Sequence, residues 1–328
     1  MRRMAGNGAT SVWTVGFCAL TLSASLNAAA AFPERPVRLI VAQSPGGNAD
    51  IIGRALAEGL SERFGQTVIV DNRGGASGII AIELTVRAPA DGHTLLLVAS
   101  SFGVNPALKR KLSYDQQRDL APITLVATAP NILVVGPALT VKSVAELIHF
   151  AKSRPGELTF GSSGNLGSPH LAGELFNLMA GVKMVHVPYK GAAASLTDLI
   201  AGRISMSFAS LPSAIGHVRS GRLRALAVTS EKRFSLVPEL PAIAELGFPG
   251  FETSAWQGLL APANTPRAIV NRINADAAAS VTSPTMRNLL AANGAEGVGN
   301  SPAAFADYVQ KQIVKWTKVV QAAGIQAE

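Results

Sequence analysis

The sequence predicts an α/β fold with mixed, mostly parallel sheets. Three observations carry that expectation. Short apolar runs alternate with amphipathic helical segments from Val37 onward. Two glycine-rich turns, Ser44 to Asp50 and Gly161 to Ser168, each end a strand and open a helix. Thr94–Ala99 is a continuous apolar run of the kind buried on both faces of a parallel sheet.

Taken in order, Val37–Ala42 reads as a strand. Ala49–Phe64 reads as a helix with Ile51, Ile52, Ala55, Leu56 and Leu60 on one side, stopped by Gly65. Thr67–Val70 follows as a strand, Ser77–Arg87 as a helix and Thr94–Ala99 as the buried strand. Further strands are expected at Ile132–Val135, Leu158–Phe160, Met184–Val187, Ile204–Phe208 and Leu223–Val228. Helices at Ser143–Ser153, Ser168–Met179, Ala192–Ala201 and Ser213–Ser220 separate them. Phe251–Leu260 is one more strand; Pro266 then opens a helix through Ala279, and a second spans Thr285–Ala292. The last helix is capped by Ser301-Pro302, runs from Ala303 to about Ala323, and repeats Phe305, Val309, Ile313, Trp316 and Val320 on one face. With no internal repeat and no long linker, two domains joined by short crossings are expected.

The first 31 residues read as a secretory leader rather than as part of the fold. Arg2 and Arg3 precede an apolar stretch from Val12 to Leu22, and Ala28–Ala31 offer small-residue cleavage sites before Phe32. An uncleaved N-terminal anchor is the alternative, though the apolar stretch is short for a bilayer. Cleavage removes the single cysteine, Cys18, so the mature chain would have no disulfide, thiolate nucleophile or cysteine-ligated metal. It leaves about 297 residues, enough for two domains stabilised by their own cores. It also removes Arg2 and Arg3, and the net charge falls from +8 to +6. The basic residues are scattered. The densest groups, Lys109-Arg110-Lys111 and Arg219 to Arg224, lack interleaved aromatics, which argues against a nucleic-acid surface.

Much catalytic chemistry is absent. The chain has no G-x-x-x-x-G-K-[ST] phosphate loop and no G-x-S-x-G nucleophile elbow, and Gly161–Gly167 spaces its glycines as GxxGxxG rather than GxGxxG. His93, His149, His170, His186 and His217 form no metal-binding pair. Neither a catalytic residue, a metal nor a cofactor is expected.

What is present points to an anion. Each glycine-rich turn leads into a helix whose first N–H groups lack intrahelical partners, at the positive end of the helix dipole. In the first turn Ser44, Gly46, Gly47, Asn48, Ala49 and Asp50 are the candidates, with the glycines allowing close backbone approach. In the second, Ser162, Ser163, Gly164, Gly167, Ser168 and His170 are the candidates, and the hydroxyls can bind a carboxylate without a full counter-charge. Both segments also fit ordinary tight strand-to-helix turns, and Asp50 could serve the helix dipole alone. Ser100 and Ser101 follow the buried strand, and Tyr189 and Lys190 follow another; strand carboxyl ends are where open α/β sheets bind ligands. Tyr189 and Lys190 fit plain loop residues equally well.

Across the whole mature length the chain resembles the Bug family, periplasmic substrate-binding proteins associated with tripartite tricarboxylate transporters. The resemblance rests on Pro45-Gly46-Gly47-x-x-Asp50, Asp71-Asn72-Arg73-x-Gly75-Ala76-x-Gly78, Ala90-Asp91-Gly92-His93-Thr94-Leu95 and Asn105-Pro106. It continues through Ser162-Ser163-Gly164-Asn165, the segments His170–Phe176 and Val185–Gly191, and Leu223–Thr229. It implies a two-lobed periplasmic-binding-protein fold of the type II, Venus-flytrap kind, with two hinge crossings. Lobe 1 would hold residues 32–129 and 230–328, and lobe 2 residues 130–229, with the two glycine-rich turns facing each other across the cleft. It further implies that a ligand carboxylate is held by backbone N–H groups, hydroxyls and water rather than by arginine. Gln43 stands where many relatives carry an aromatic residue, which points to a more polar or hydroxylated ligand. Ala209 stands near a position that is often acidic in relatives, which disfavours a ligand carrying an ammonium group, and Leu166 narrows the pocket.

The expectation is therefore an exported, monomeric periplasmic protein without enzymatic activity. It would capture a small mono-, di- or tricarboxylate and present the closed form to tripartite tricarboxylate transporter membrane subunits. A sensor membrane protein as partner, and a periplasmic hydrolase, are the alternatives.

Overall fold

The computed structural model describes residues 32–108 and 112–325. The leader reading and the basic group at 109–111 lie outside the described residues. In chain order the elements are β1 (Val37–Val41), α1 (Asn48–Phe64), β2 (Val68–Asn72), α2 (Ile79–Val86), β3 (Thr94–Ala99), α3 (Ser101–Val104) and β4 (Leu120–Val135). Next come α4 (Val144–Ser153), β5 (Thr159–Ser162), α5 (Ser168–Ala180), β6 (Val185–Pro188), α6 (Ala192–Ile200), β7 (Met206–Ser210), α7 (Leu211–Arg219) and β8 (Arg224–Val228). The chain ends with β9 (Ser254–Pro262), α8 (Arg267–Val281), α9 (Pro284–Ala292), β10 (Glu296–Gly297) and α10 (Pro302–Ala322).

The strands form one mixed sheet in the order β2-β1-β3-β9-β4-β7-β5-β6, with β8 and β10 also paired to β4. The parallel character expected from sequence is confined to the flanks. β1 pairs parallel with β2 and β3, and β5 with β6 and β7. At the centre, β9 and β4 run antiparallel to their neighbours.

The 16-residue strand β4 joins the two flanks. Its residues up to Pro130 pair with β9, and from Asn131 onward it pairs with β7 and β8. Pro130 has no N–H to give a ladder, which suits a residue at the point where pairing changes partner. Only the last four residues of β4, Ile132–Val135, are expected from sequence. Pro122 and Pro130 break the strand signal in the rest, and the chain accommodates Pro122 with a register shift between Pro122 and Thr124.

Each flank has its own core. Leu39, Ile52, Leu56, Leu97, Leu259 and Ile273 pack on one side of the first flank, and Ile40, Leu96, Trp256 and Phe305 on the other. On the second flank, Leu133, Leu147, Phe160, Phe176 and Phe208 form one cluster and Leu196, Leu199, Val228 and Ala242 another. α1 shows how periodicity becomes burial: Ile52, Leu56 and Leu60 are fully buried, whereas Ile51, placed by sequence on the same side, is 37% exposed. Gly65 ends the helix with φ 65°, as expected of a C-terminal glycine.

α10 packs against both flanks. Phe305 and Val309 join the first-flank core, while Trp316, Val319 and Val320 join the cluster of α5 and β7. At 21 residues it is about 30 Å long, enough to touch both flanks. Its cap is as the sequence indicates: Ser301 accepts a hydrogen bond from the Ala304 N–H at 3.2 Å. Ser301→Ala should lower unfolding free energy by about 1 kcal/mol in urea titration. No change would mean that packing alone sets the helix start.

Candidate functional site

Two adjoining cavities lie at the carboxyl ends of strands. The larger, about 380 Å³, is lined by residues from both flanks, among them Asn48, Ser100, Asn131, Ser163, Ser168 and Asn293. The smaller, about 40 Å³, shares Ser163, Pro169 and Ser210 with it and reaches Ser195, Ser207 and Ala209. Among the described residues, no charged side chain lines either one.

Charge enters instead through helix ends. α5 contributes Ser168 and Pro169, α6 contributes Ala192, and α7 contributes Leu211 and Pro212. None of these three helices has an acidic residue in its first turn. Their positive ends therefore converge on Ser163 without internal neutralisation, which favours an anion. Ser163 itself is exposed at the end of β5.

The first glycine-rich turn behaves differently. Gly46, with φ 81°, aims its N–H at Asp50 Oδ2, 2.8 Å away. Gln43 folds back so that its Oε1 accepts the Ala49 N–H at 2.8 Å. Asp50 is 4% exposed and pairs with Arg54 at 3.0 Å. The Gly46 amide holds its carboxyl below the usual range, against the opposing effect of burial. Two N–H groups of this turn are thus already satisfied by the chain's own acceptors. Of this turn's candidates, Asn48 lines the larger cavity, while Gly46, Gly47, Ala49 and Asp50 frame the turn beside it. Gln43 thus bonds the first turn of α1, and Ser44 is exposed beside it.

In the second turn, Ser163, Gly167 and Ser168 line the larger cavity, whereas Ser162 and His170 stand behind it. Ser162 is 1% exposed, and its Oγ lies 2.7 Å from His186 Nε2. His170 accepts the Leu166 N–H at Nδ1, 3.0 Å away, which supports Leu166 in the left-handed region at φ 60°. The His170 and His186 rings stack at 3.8 Å, and Phe160 stacks on His186 at 5.0 Å. Gly173 lets Phe160 come this close to α5; a Cβ there would sit 2.1 Å from its ring. Burial, then the neighbouring His170, push the His186 pKa down to about 4. These histidines shape the turn from behind.

Of the remaining candidates, Ser100 and Ala209 line cavities. Ser101 does not; its hydroxyl donates to the Ser77 carbonyl at 3.1 Å. Gly164 shapes the turn at φ 139° and lines neither cavity. Tyr189 donates its hydroxyl proton to Asp198 at 2.9 Å, and Lys190 is exposed; both are loop residues outside these cavities. Sequence reasoning missed Asn131, Ser210 and Asn293. Asn131 could have been noticed as a lone amide inside an apolar run, Ser210 as the cap before Pro212, and Asn293 from the Asn-Gly turn signal. Among the described residues no group of His, Cys, Asp and Glu could hold a metal ion, and no helix is long and apolar enough to cross a membrane.

Residues 52–325 match the family described as tripartite tricarboxylate transporter family receptor, TctC. The chain belongs to this receptor family. Receptors of the family are periplasmic. The chain is 36% identical to Protein BugT of Bordetella pertussis over 295 residues, which cover 89% of this chain and 90% of BugT. Among solved structures it is similar to R. palustris Rpa4515 with adipate, at 40% identity and TM-score 0.73, covering 90% of this chain and 99% of that one. It is similar to MatC from Rhodopseudomonas palustris with bound malate, at 29% identity and TM-score 0.69, covering 88% and 100%. A TctC solute-binding protein from Polaromonas without ligand has 28% identity but a TM-score of 0.82, covering 89% and 99%. The two-lobed periplasmic-binding-protein fold of the family is therefore the fold of this chain.

Proposed function

We propose that this family member is exported by a cleavable leader and binds a small organic carboxylate between two lobes, without chemical turnover, for delivery to tripartite tricarboxylate transporter membrane subunits. The observation that carries this reading is that three helix N-termini without first-turn acids open onto two adjoining, hydroxyl-lined cavities with no charged side chain among the described residues. Such a site stabilises an anion through fixed dipoles and hydrogen bonds. The adipate and malate found in related structures support the substrate class. The better superposition on an unliganded relative than on a more identical ligand-bound one supports an open form here.

Lobe 1 would span residues 32–129 and 230–328 and lobe 2 residues 130–229, with the C-terminal half of α10 leaning on lobe 2. Closure would be a hinge motion at the crossings near 130 and 229. Mass spectrometry of ligand released from the purified protein, followed by thermal shift with adipate, malate and citrate, tests this. An acid at about a hundred times its Kd should add roughly 2.7 kcal/mol of stability. The absence of a shift with every acid, or recovery of a chemically altered ligand, would overturn the reading.

A further inference from the structure

We infer that Asn131 and Thr229 are positioning residues that tie the Ser168 hydroxyl to both hinge crossings, so that anion capture and lobe closure are linked through one buried hydrogen-bond chain. The inference rests on the binding reading above and adds the means by which the site reaches the hinge.

The chain starts in the cavity. Ser168 opens α5 and is 9% exposed, and its Oγ receives a hydrogen bond from Asn131 Nδ2 at 2.6 Å. A serine hydroxyl has one proton and two acceptor lone pairs. With Asn131 donating to it, the proton is left for another acceptor, and Ser168 lines the cavity where a ligand would offer one. Ser168 is thereby set as a donor, which suits a carboxylate oxygen.

From Asn131 the chain continues to the second crossing. The Asn131 N–H donates to Thr229 Oγ1 at 2.8 Å, and the Thr229 N–H donates to the Asn131 carbonyl at 2.9 Å. Thr229 Oγ1 passes its own proton to the Thr253 carbonyl at 2.5 Å, and the Thr253 N–H returns to the Thr229 carbonyl at 2.9 Å. Asn131 is 3% exposed, and Thr229 and Thr253 are fully buried. Asn131 is also the residue at which β4 leaves β9 and takes up β7. One residue thus reaches the cavity hydroxyl with its side chain and Thr229 with its backbone, at the point where the strand changes partner. Thr229 pins that strand to the segment entering β9. In a dry environment an unmade bond in such a chain is costly, so its members move together.

The test follows closure by fluorescence energy transfer between dyes on the two lobes, and affinity by calorimetry, with adipate, malate and citrate. Asn131→Asp should weaken binding of the best acid at least about tenfold, because a carboxylate would accept the Ser168 hydroxyl's hydrogen bond and repel the ligand. Thr229→Val should leave ligand-saturated protein less closed than wild type and weaken binding similarly. Thr229→Ser, which keeps the hydroxyl, should restore both. If Thr229→Val does not fold, Asn131→Asp and Asn131→Ala decide the question by the same two readouts. Thr229→Val that lowers only the thermal midpoint, or Asn131→Asp with wild-type affinity and closure, would overturn the inference. Wild-type protein that binds none of the acids would instead overturn the binding reading, with which this one falls.

Discussion

Ser163→Phe should abolish the carboxylate-induced thermal shift and leave the ligand-free protein as stable as wild type. Ser163 is exposed at the mouth of the second turn and lines both cavities. A phenyl ring there would occupy the 380 Å³ space or block the 40 Å³ recess beneath it. The unliganded fold has little to lose, because a surface position away from the core usually changes stability by no more than about 0.5 kcal/mol. The whole ligand-linked gain, roughly 2.7 kcal/mol at a hundredfold excess over Kd, should vanish. Ser163→Ala should have the milder outcome of about a tenfold weaker Kd, as expected for one lost hydrogen bond to a charged group. A preserved shift in Ser163→Phe would place the ligand elsewhere.

The same cavity shows what was readable in the sequence and what was not. Apolar runs located β1 and β3, and periodicity located α1, because their burial follows local side-chain pattern. It missed the first part of β4 because proline carries a strong local signal against a strand, which a long central strand overrides with bulges. Sheet direction at the centre was not legible either. It depends on how β9 returns from a distant part of the chain.

The two glycine-rich turns look alike in sequence, yet they differ in how their N–H groups are used, for a reason that only geometry shows. The first encloses its own anion, Asp50, and its own amide acceptor, Gln43. The second has histidines behind it and no acid at the start of its helix. Asp50 is legible in sequence as a possible partner of the helix dipole, and in the fold its carboxylate accepts the Gly46 N–H. Gln43 six residues before Ala49 follows no local capping spacing, so its role appears only once the chain is folded. Asn131 was hidden for a similar reason. Its value lies in being where two sheet flanks and a helix end meet, which no window of sequence contains.

His186 should make the protein lose stability in mild acid, with the loss beginning well above the carboxylate range. Burial first, and the adjacent His170 second, bring its pKa to about 4, while nearby Glu174 acts in the opposite direction. An unfolded chain has a histidine pKa of about 6.5. As pH falls from about 6.5 to about 4, the unfolded chain takes up a proton that the folded chain refuses, so stability declines across that window and levels off below it. The full shift would correspond to about 3.4 kcal/mol, and screening of this half-buried ring reduces the expectation to about 1–2 kcal/mol. Asp50, Asp71 and Asp119, whose pKa values are lowered from 3.8, contribute a separate loss that begins only near that value. Urea unfolding at pH 7 and pH 4.5 therefore isolates the histidine. His186→Gln can still bond Ser162, and it should reduce the difference between the two pH values by about 1–2 kcal/mol. The same acid-induced loss in both proteins would show that the ring is free to protonate in the folded state, and that the stack with His170 and Phe160 does not shield it.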